Sequence, residues 1–151
     1  TTTHALSSST QTTKSSPTIP LGTLSINPLC FGTLNLDSSS DDISSITTLL
    51  ERLPPNALID TAERYGYGSS NLQGWGAREQ MLGDALSQSN ILTTTTLDET
   101  KKRLYLATKF APSPLRTTPQ SVVQACRESI QRLQTPTLDL YQLHYPDKPN
   151  F

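Results

Sequence analysis

Apolar residues occur in short bursts between polar stretches, and the bursts carry two different periods. In Ile19-Pro20-Leu21-Gly22-Thr23-Leu24-Ser25-Ile26, polar and apolar positions alternate through Leu24 and Ile26, which predicts a short hairpin. Leu29-Cys30-Phe31, closed by Gly32-Thr33, reads as a buried strand. Ile43, Ile46, Leu49, Leu50 and Leu53 repeat at helical spacing over residues 42–53. Ser40 or Asp41 suits the N-cap, and Pro54-Pro55 stops the helix. Ala57-Leu58-Ile59 is a second strand, ending at Asp60. A glycine-rich loop spans residues 66–76, and a helix over about 77–86 places Leu82, Ala85 and Leu86 on one face. Residues 87–102 are polar and threonine-rich, as in a surface insertion. Leu104-Tyr105-Leu106-Ala107 is a third strand, ending at Lys109. Thr118 as N-cap and Pro119 at the first helical position open a third helix. Its apolar face is Val122, Val123, Cys126, Ile130 and Leu133. A fourth strand over 138–143 ends at His144.

Strands alternating with amphipathic helices define an α/β chain of parallel βαβ units behind a leading β-hairpin. Four strands and three helices make the N-terminal half of a (β/α)8 TIM barrel, which needs about 250 residues in full. The pattern therefore reads as a barrel truncated after its fourth strand, with a small open α/β sheet as the competing architecture. The expected division is a disordered leader over 1–18 and a partial barrel domain over 19–151.

Composition narrows the function classes. The chain has 151 residues, 34% hydrophobic and 17% charged, with a formal net charge of −1, which suits one domain with a lean core. Lys and Arg are nowhere concentrated, which argues against nucleic acid and anionic membranes. No apolar run reaches the ~20 residues of a transmembrane helix. Cys30 and Cys126 lie far apart outside any C-x-x-C pattern and read as reduced, partly buried thiols. His4 and His144 are the only histidines, so no metal site is expected. Residues 1–16 are Ser/Thr-rich and lack acids, as in an ordinary disordered leader or the remnant of a plastid transit peptide.

Three titratable residues stand where strands end: Asp60, Lys109 and His144. In a parallel barrel these ends gather at one mouth, and Tyr65 lies on the loop above the first of them. The set suits carbonyl reduction, in which hydride attacks carbon and a donor protonates oxygen. Tyrosine, with an ordinary pKa near ~10, is a poor acid at neutral pH, but a neighbouring ammonium stabilises the phenolate. Lys109 suits that task, Asp60 would pair with Lys109, and His144 could hydrogen-bond the carbonyl oxygen. Singly, each has an ordinary structural reading: Asp60 as a cap, Lys109 as a solvated cation, His144 as a satisfied core group, Tyr65 as packing. Gly66-Tyr67-Gly68-Ser69-Ser70-Asn71 begins like a dinucleotide fingerprint, but Asn71 replaces the third glycine and no strand ends at the first.

Several segments resemble the aldo-keto reductase family. Asp60-Thr61-Ala62-Glu63-Arg64-Tyr65-Gly66 is similar to its D-T-A-x-x-Y-G signature, Ala107-Thr108-Lys109 to its T-K strand end, and residues 139–144 to its D-L-Y-x-x-H strand. Leu29-Cys30-Phe31-Gly32-Thr33 is similar to its first barrel strand, and residues 78–86 to its E-x-x-L-G-x-A-L helix. The five motifs run in order over about residues 20–148. The resemblance implies a catalytic tetrad of Asp60, Tyr65, Lys109 and His144, with Tyr65 as general acid. It implies NADPH as hydride donor, with Gly32, Thr33 and Asp60 near its nicotinamide, and a small carbonyl compound as substrate. Leu34 replaces a Trp frequent in the family, and the later strands that hold the cofactor's phosphates and adenine are not in this sequence. Leu72-Gln73-Gly74-Trp75-Gly76, Lys109-Phe110-Ala111-Pro112 and Arg116 resemble plant-type plastid members, including pyridoxal reductases. The rival functions are a non-catalytic, cofactor-sensing regulatory subunit and an inactive fragment.

Overall fold

The computed structural model describes residues 17–36, 42–66, 74–89, 91 and 102–145. A hairpin of β1 (Ile19–Leu21) and β2 (Leu24–Ile26) turns through Gly22, whose φ of 60° lies in the left-handed region. Then come β3 (Cys30–Gly32), α1 (Ile43–Arg52), β4 (Leu58–Asp60), α2 (Ala77–Gln88), β5 (Tyr105–Phe110), α3 (Pro119–Leu133) and β6 (Leu140–Leu143). The leader over 1–16, most of the glycine-rich loop (67–73) and the bulk of the expected insertion (90 and 92–101) lie outside the described residues.

The four strands β3–β6 form one parallel sheet in sequential order. Sequential order with right-handed crossovers puts every helix on the same face, and α1 packs on α2 and α2 on α3. That is the winding of a (β/α)8 barrel, whereas a doubly wound sheet reverses direction and covers both faces.

Period-two alternation divides each strand between two cores. Ile59 and Leu106 face outward and pack with Ile46, Leu50, Leu82, Ala85, Leu86 and Leu133. Leu58, Tyr105 and Ala107 face inward and pack with Ile26 of the hairpin. The hairpin thus closes the inner face near the N-terminal ends of the strands, where Asn27 N–H donates to the Asn56 carbonyl at 2.8 Å. Asp60 continues the inward row of β4, and Lys109 that of β5.

Four local expectations change. The N-cap of α1 is Asp42, immediately before the first helical residue, because its carboxylate accepts the Ser45 N–H at 2.6 Å. Ser40 and Asp41 lie outside the described residues. The first strand is not buried: Cys30 and Gly32 are exposed, because among the described residues β3 has a neighbour on only one side. Cys30 is accordingly an exposed free thiol, while Cys126 is partly buried. The face that α3 buries is Ala125, Ser129 and Leu133, while Val122 and Val123 are exposed.

The last change follows from what α3 packs on, and its C-terminal end makes a close helix crossing. A Cβ on Gly83 of α2 would lie 2.1 Å from the Arg132 carbonyl oxygen of α3. Val122 and Val123 lie on the side of α3 turned away from α2 and β5, the elements it chiefly packs on, whereas at its C-terminal end glycine at 83 lets the α2 backbone come close. Gly83→Ala must push the helices apart, at an expected cost of about 1–3 kcal/mol. Denaturant unfolding checks this, and a midpoint equal to wild type would mean that the crossing yields freely.

Candidate active site

Four strand-end segments build one cluster. Asp60 is the last residue of β4 and pairs in register with Gly32 on one side and Ala107 on the other. The Thr33 N–H donates to the Asp60 carbonyl at 3.0 Å, and the Thr61 N–H to the Ala107 carbonyl at 2.9 Å, so the chain stays tied beyond the strand end. Residues 63–66 then turn, and Tyr65 N–H donates to the Ala62 carbonyl at 3.0 Å. Lys109 stands one residue before the end of β5, and His144 follows β6 with its N–H donating to the Phe110 carbonyl at 2.8 Å.

These backbones bring the side chains together. The Lys109 ammonium donates to Asp60 Oδ2 at 2.8 Å, to the Thr61 carbonyl at 2.9 Å and to the Tyr65 hydroxyl oxygen at 3.0 Å. All three donors of the ammonium are thereby used. The His144 ring meets Tyr65 edge-on, with centroids 5.5 Å apart, and stacks flat on Tyr145 at 4.4 Å. All four residues singled out in the sequence thus share one site.

Thr33 and Gly32 occupy different positions beside it. Thr33 is fully buried, and its hydroxyl donates to Thr61 Oγ1 at 2.8 Å, so its side chain braces the two strand ends. Gly32 is open: a Cβ there would meet nothing within 4 Å.

Burial, and next the positive charges of Lys109 and Arg64, hold the His144 imidazole below its ordinary value of 6.5, against weaker upward pulls from Asp60 and Glu63. The ring is therefore neutral at pH 7. Its Nδ1 is buried without a hydrogen-bond partner among the described residues. The unfolded chain takes up this proton first as pH falls. The stabilisation from neutral His144 is therefore full above pH 6.5 and is lost as pH falls from 6.5 through the lower folded value. The denaturation midpoint should fall more steeply below pH 6.5 in wild type than in His144→Gln. Identical slopes would remove His144 from the pH response.

Sequence reasoning missed two layers around the cluster. Gln142 faces inward from β6, and its amide donates to Asp60 Oδ1 at 3.3 Å, so each oxygen of that carboxylate has a donor. The period-two rule places Gln142 two residues before His144 on the same face, which is a signal that was available. The second layer is a fully buried pair of carboxylates, Glu63 and Glu79. Arg116 binds Glu63 through both oxygens, at 2.7 and 2.9 Å. Arg132 donates to Glu79 at 2.7 Å, and the Thr108 hydroxyl donates to the other Glu79 oxygen.

A parallel sheet wound in sequence, with an Asp–Lys–Tyr hydrogen-bonded chain and a histidine at its C-terminal strand ends, defines the class as part of a (β/α)8 barrel. Residues 28–150 match the Aldo/keto reductase family, and the chain belongs to that family. It is 34% identical over 137 residues to the chloroplastic pyridoxal reductase of Arabidopsis thaliana, covering 84% of this chain and 34% of that protein. It is 31% identical over 136 residues to the aldo-keto reductase YhdN of Bacillus subtilis (strain 168), covering 85% of this chain and 34% of that one. The fold matches a crystal structure of an aldo-keto reductase from Klebsiella pneumoniae in complex with NADPH, with a TM-score of 0.56, 22% identity and coverage of 82% and 37%. The chain thus spans about a third of the length of the curated relatives it matches. Among the described residues, no helix is long and apolar enough to cross a membrane, and no group of three His, Cys, Asp or Glu could hold a metal ion.

Proposed function

We propose that this chain carries the catalytic tetrad of an NADPH-dependent reductase of aldehydes and ketones. The observation that supports it best is the Lys109 ammonium, held between Asp60 and the Tyr65 hydroxyl at 2.8 and 3.0 Å. The donor set fits a nicotinamide reaction, and Gly32, in register with Asp60, leaves open space beside that carboxylate. Gly32 and Asp60 would lie along the nicotinamide end, with the buried Thr33 bracing them from behind. When bound, NADPH supplies the hydride. Tyr65 gives its phenolic proton to the carbonyl oxygen as charge builds there. Lys109 stabilises the phenolate left behind, and Asp60 holds Lys109 in place. His144 donates a hydrogen bond to the same carbonyl oxygen. The neutral ring carries one N–H, which is the donor it would offer to that oxygen.

The substrate class is a small carbonyl compound, and pyridoxal is the first to try because of the chloroplastic relative. The same relative and the acid-poor Ser/Thr-rich start support a plastid address, which a fluorescent fusion of the complete protein tests. The activity test follows NADPH absorbance with a panel of aldehydes that includes pyridoxal. Consumption supports the reductase. NADPH binding without consumption would favour the regulatory subunit, and neither would leave an inactive fragment.

A further inference from the structure

The relative placement of Tyr65 and Lys109 needs a cause. Strand register places Asp60 against Ala107, but Tyr65 lies five residues beyond β4 in a turn without a strand partner. One buried side chain ties that turn to the end of β5. Glu63 is fully buried, and its Oε1 accepts the Ala111 N–H at 2.6 Å and Arg116 Nη1 at 2.7 Å. Its Oε2 accepts Arg116 Nη2 at 2.9 Å, and its backbone carbonyl accepts the Gly76 N–H at 2.6 Å. Arg116 also donates to the Ala111 carbonyl at 3.1 Å. Its guanidinium lies over the rings of Phe110 and Trp75, 4.7 and 5.4 Å from their centroids.

Glu63 precedes Tyr65 by two residues, and Ala111 follows Lys109 by two. The Glu63–Ala111 hydrogen bond therefore closes a short ring whose far side is the Tyr65–Lys109 contact. Arg116 stiffens that ring, because its planar fork fits the carboxylate in one orientation only. We infer that the buried Glu63–Arg116 pair is a positioning element that sets the Tyr65 hydroxyl against the Lys109 ammonium. The inference rests on the reading of Tyr65 as the proton donor.

The pair touches no reacting atom, so its effect passes through Tyr65. A buried ion pair adds little net stability over apolar residues of similar volume, and orientation is what it supplies here. Lysine at 116 keeps the charge but loses the fork. Misplacement near 1 Å can cost ~100-fold in rate.

The experiment uses the protein in its natural full length. Arg116→Lys should lower kcat by roughly 10–100-fold, with KM for NADPH changed by less than about 2-fold. In a Tyr65→Phe background the same substitution should change the residual rate by less than about 2-fold, because the group it positions is gone. A crystal structure of Arg116→Lys should show the Tyr65–Lys109 separation grown from 3.0 Å to beyond hydrogen-bond reach. Should Arg116→Lys fail to fold, the double variant Glu63→Gln/Arg116→Met leaves no unpaired buried charge and should show the same loss of kcat. A kcat within about 3-fold of wild type in either folded variant overturns the inference, as does a loss that persists undiminished without the Tyr65 hydroxyl. Full turnover by Tyr65→Phe alone would instead remove the reading of the donor.

Discussion

Tyr65→Phe should lower turnover about 10²–10⁴-fold, the range supplied by a positioned general acid, while NADPH binds as before. The substitution deletes one atom and keeps the ring. The edge-on contact with His144 at 5.5 Å and the Lys109 ammonium 4.7 Å from the ring centroid both remain possible. So does the Asp60–Lys109 ion pair. What disappears is the only hydroxyl that Lys109 contacts among the described residues. Steady-state kinetics with a reducible aldehyde, beside a fluorescence titration with NADPH, separate the two effects. Unchanged turnover would eliminate Tyr65 as the donor, and lost cofactor binding would mean that the hydroxyl has a structural task.

The largest expected loss of stability comes from Glu79→Ala. Glu79 is fully buried between α2, β5 and α3, with its oxygens taken by Thr108 and Arg132. Removing it leaves a half-buried guanidinium without its main partner and a buried hydroxyl without an acceptor. Breaking a buried ion pair costs about 3–5 kcal/mol. Arg132 keeps a fifth of its side chain in water and has Glu63 at 4.0 Å, so the low end of that range is expected, about 3 kcal/mol. Set against the 5–15 kcal/mol of a typical domain, that is a large fraction. Denaturant unfolding reads it directly, and a loss below about 1 kcal/mol would mean that water replaces the carboxylate at little cost.

Much of the site is legible in the sequence because barrel geometry turns linear position into spatial position. A polar residue that ends an apolar strand faces the mouth, so Asp60, Lys109 and His144 can be grouped without knowing a distance. Tyr65 follows from its loop. The packing of α3 was less legible, since hydrophobicity marks Val122 and Val123 while the buried face is set by where α2 and β5 lie. The buried acids were hidden for a related reason. Charged side chains are expected outside, and the bonds Glu63–Arg116 and Glu79–Arg132 each span 53 residues. One hint existed: Glu79 shares a helical face with Leu82 and Leu86, where a lone acid among apolar neighbours asks for a buried cation.

The inward row of β5 reads Tyr105, Ala107, Lys109, and its alternate members point to the helices. A slip of one residue between β4 and β5 would turn Lys109 outward and carry Thr108 or Phe110 inward. A slip of two would move the ammonium by about 7 Å along the sheet. No single hairpin, helix or strand pair contains the donor, its cation and its histidine together. The cluster therefore reports on pairing across three consecutive strands, and a mispaired chain does not assemble it.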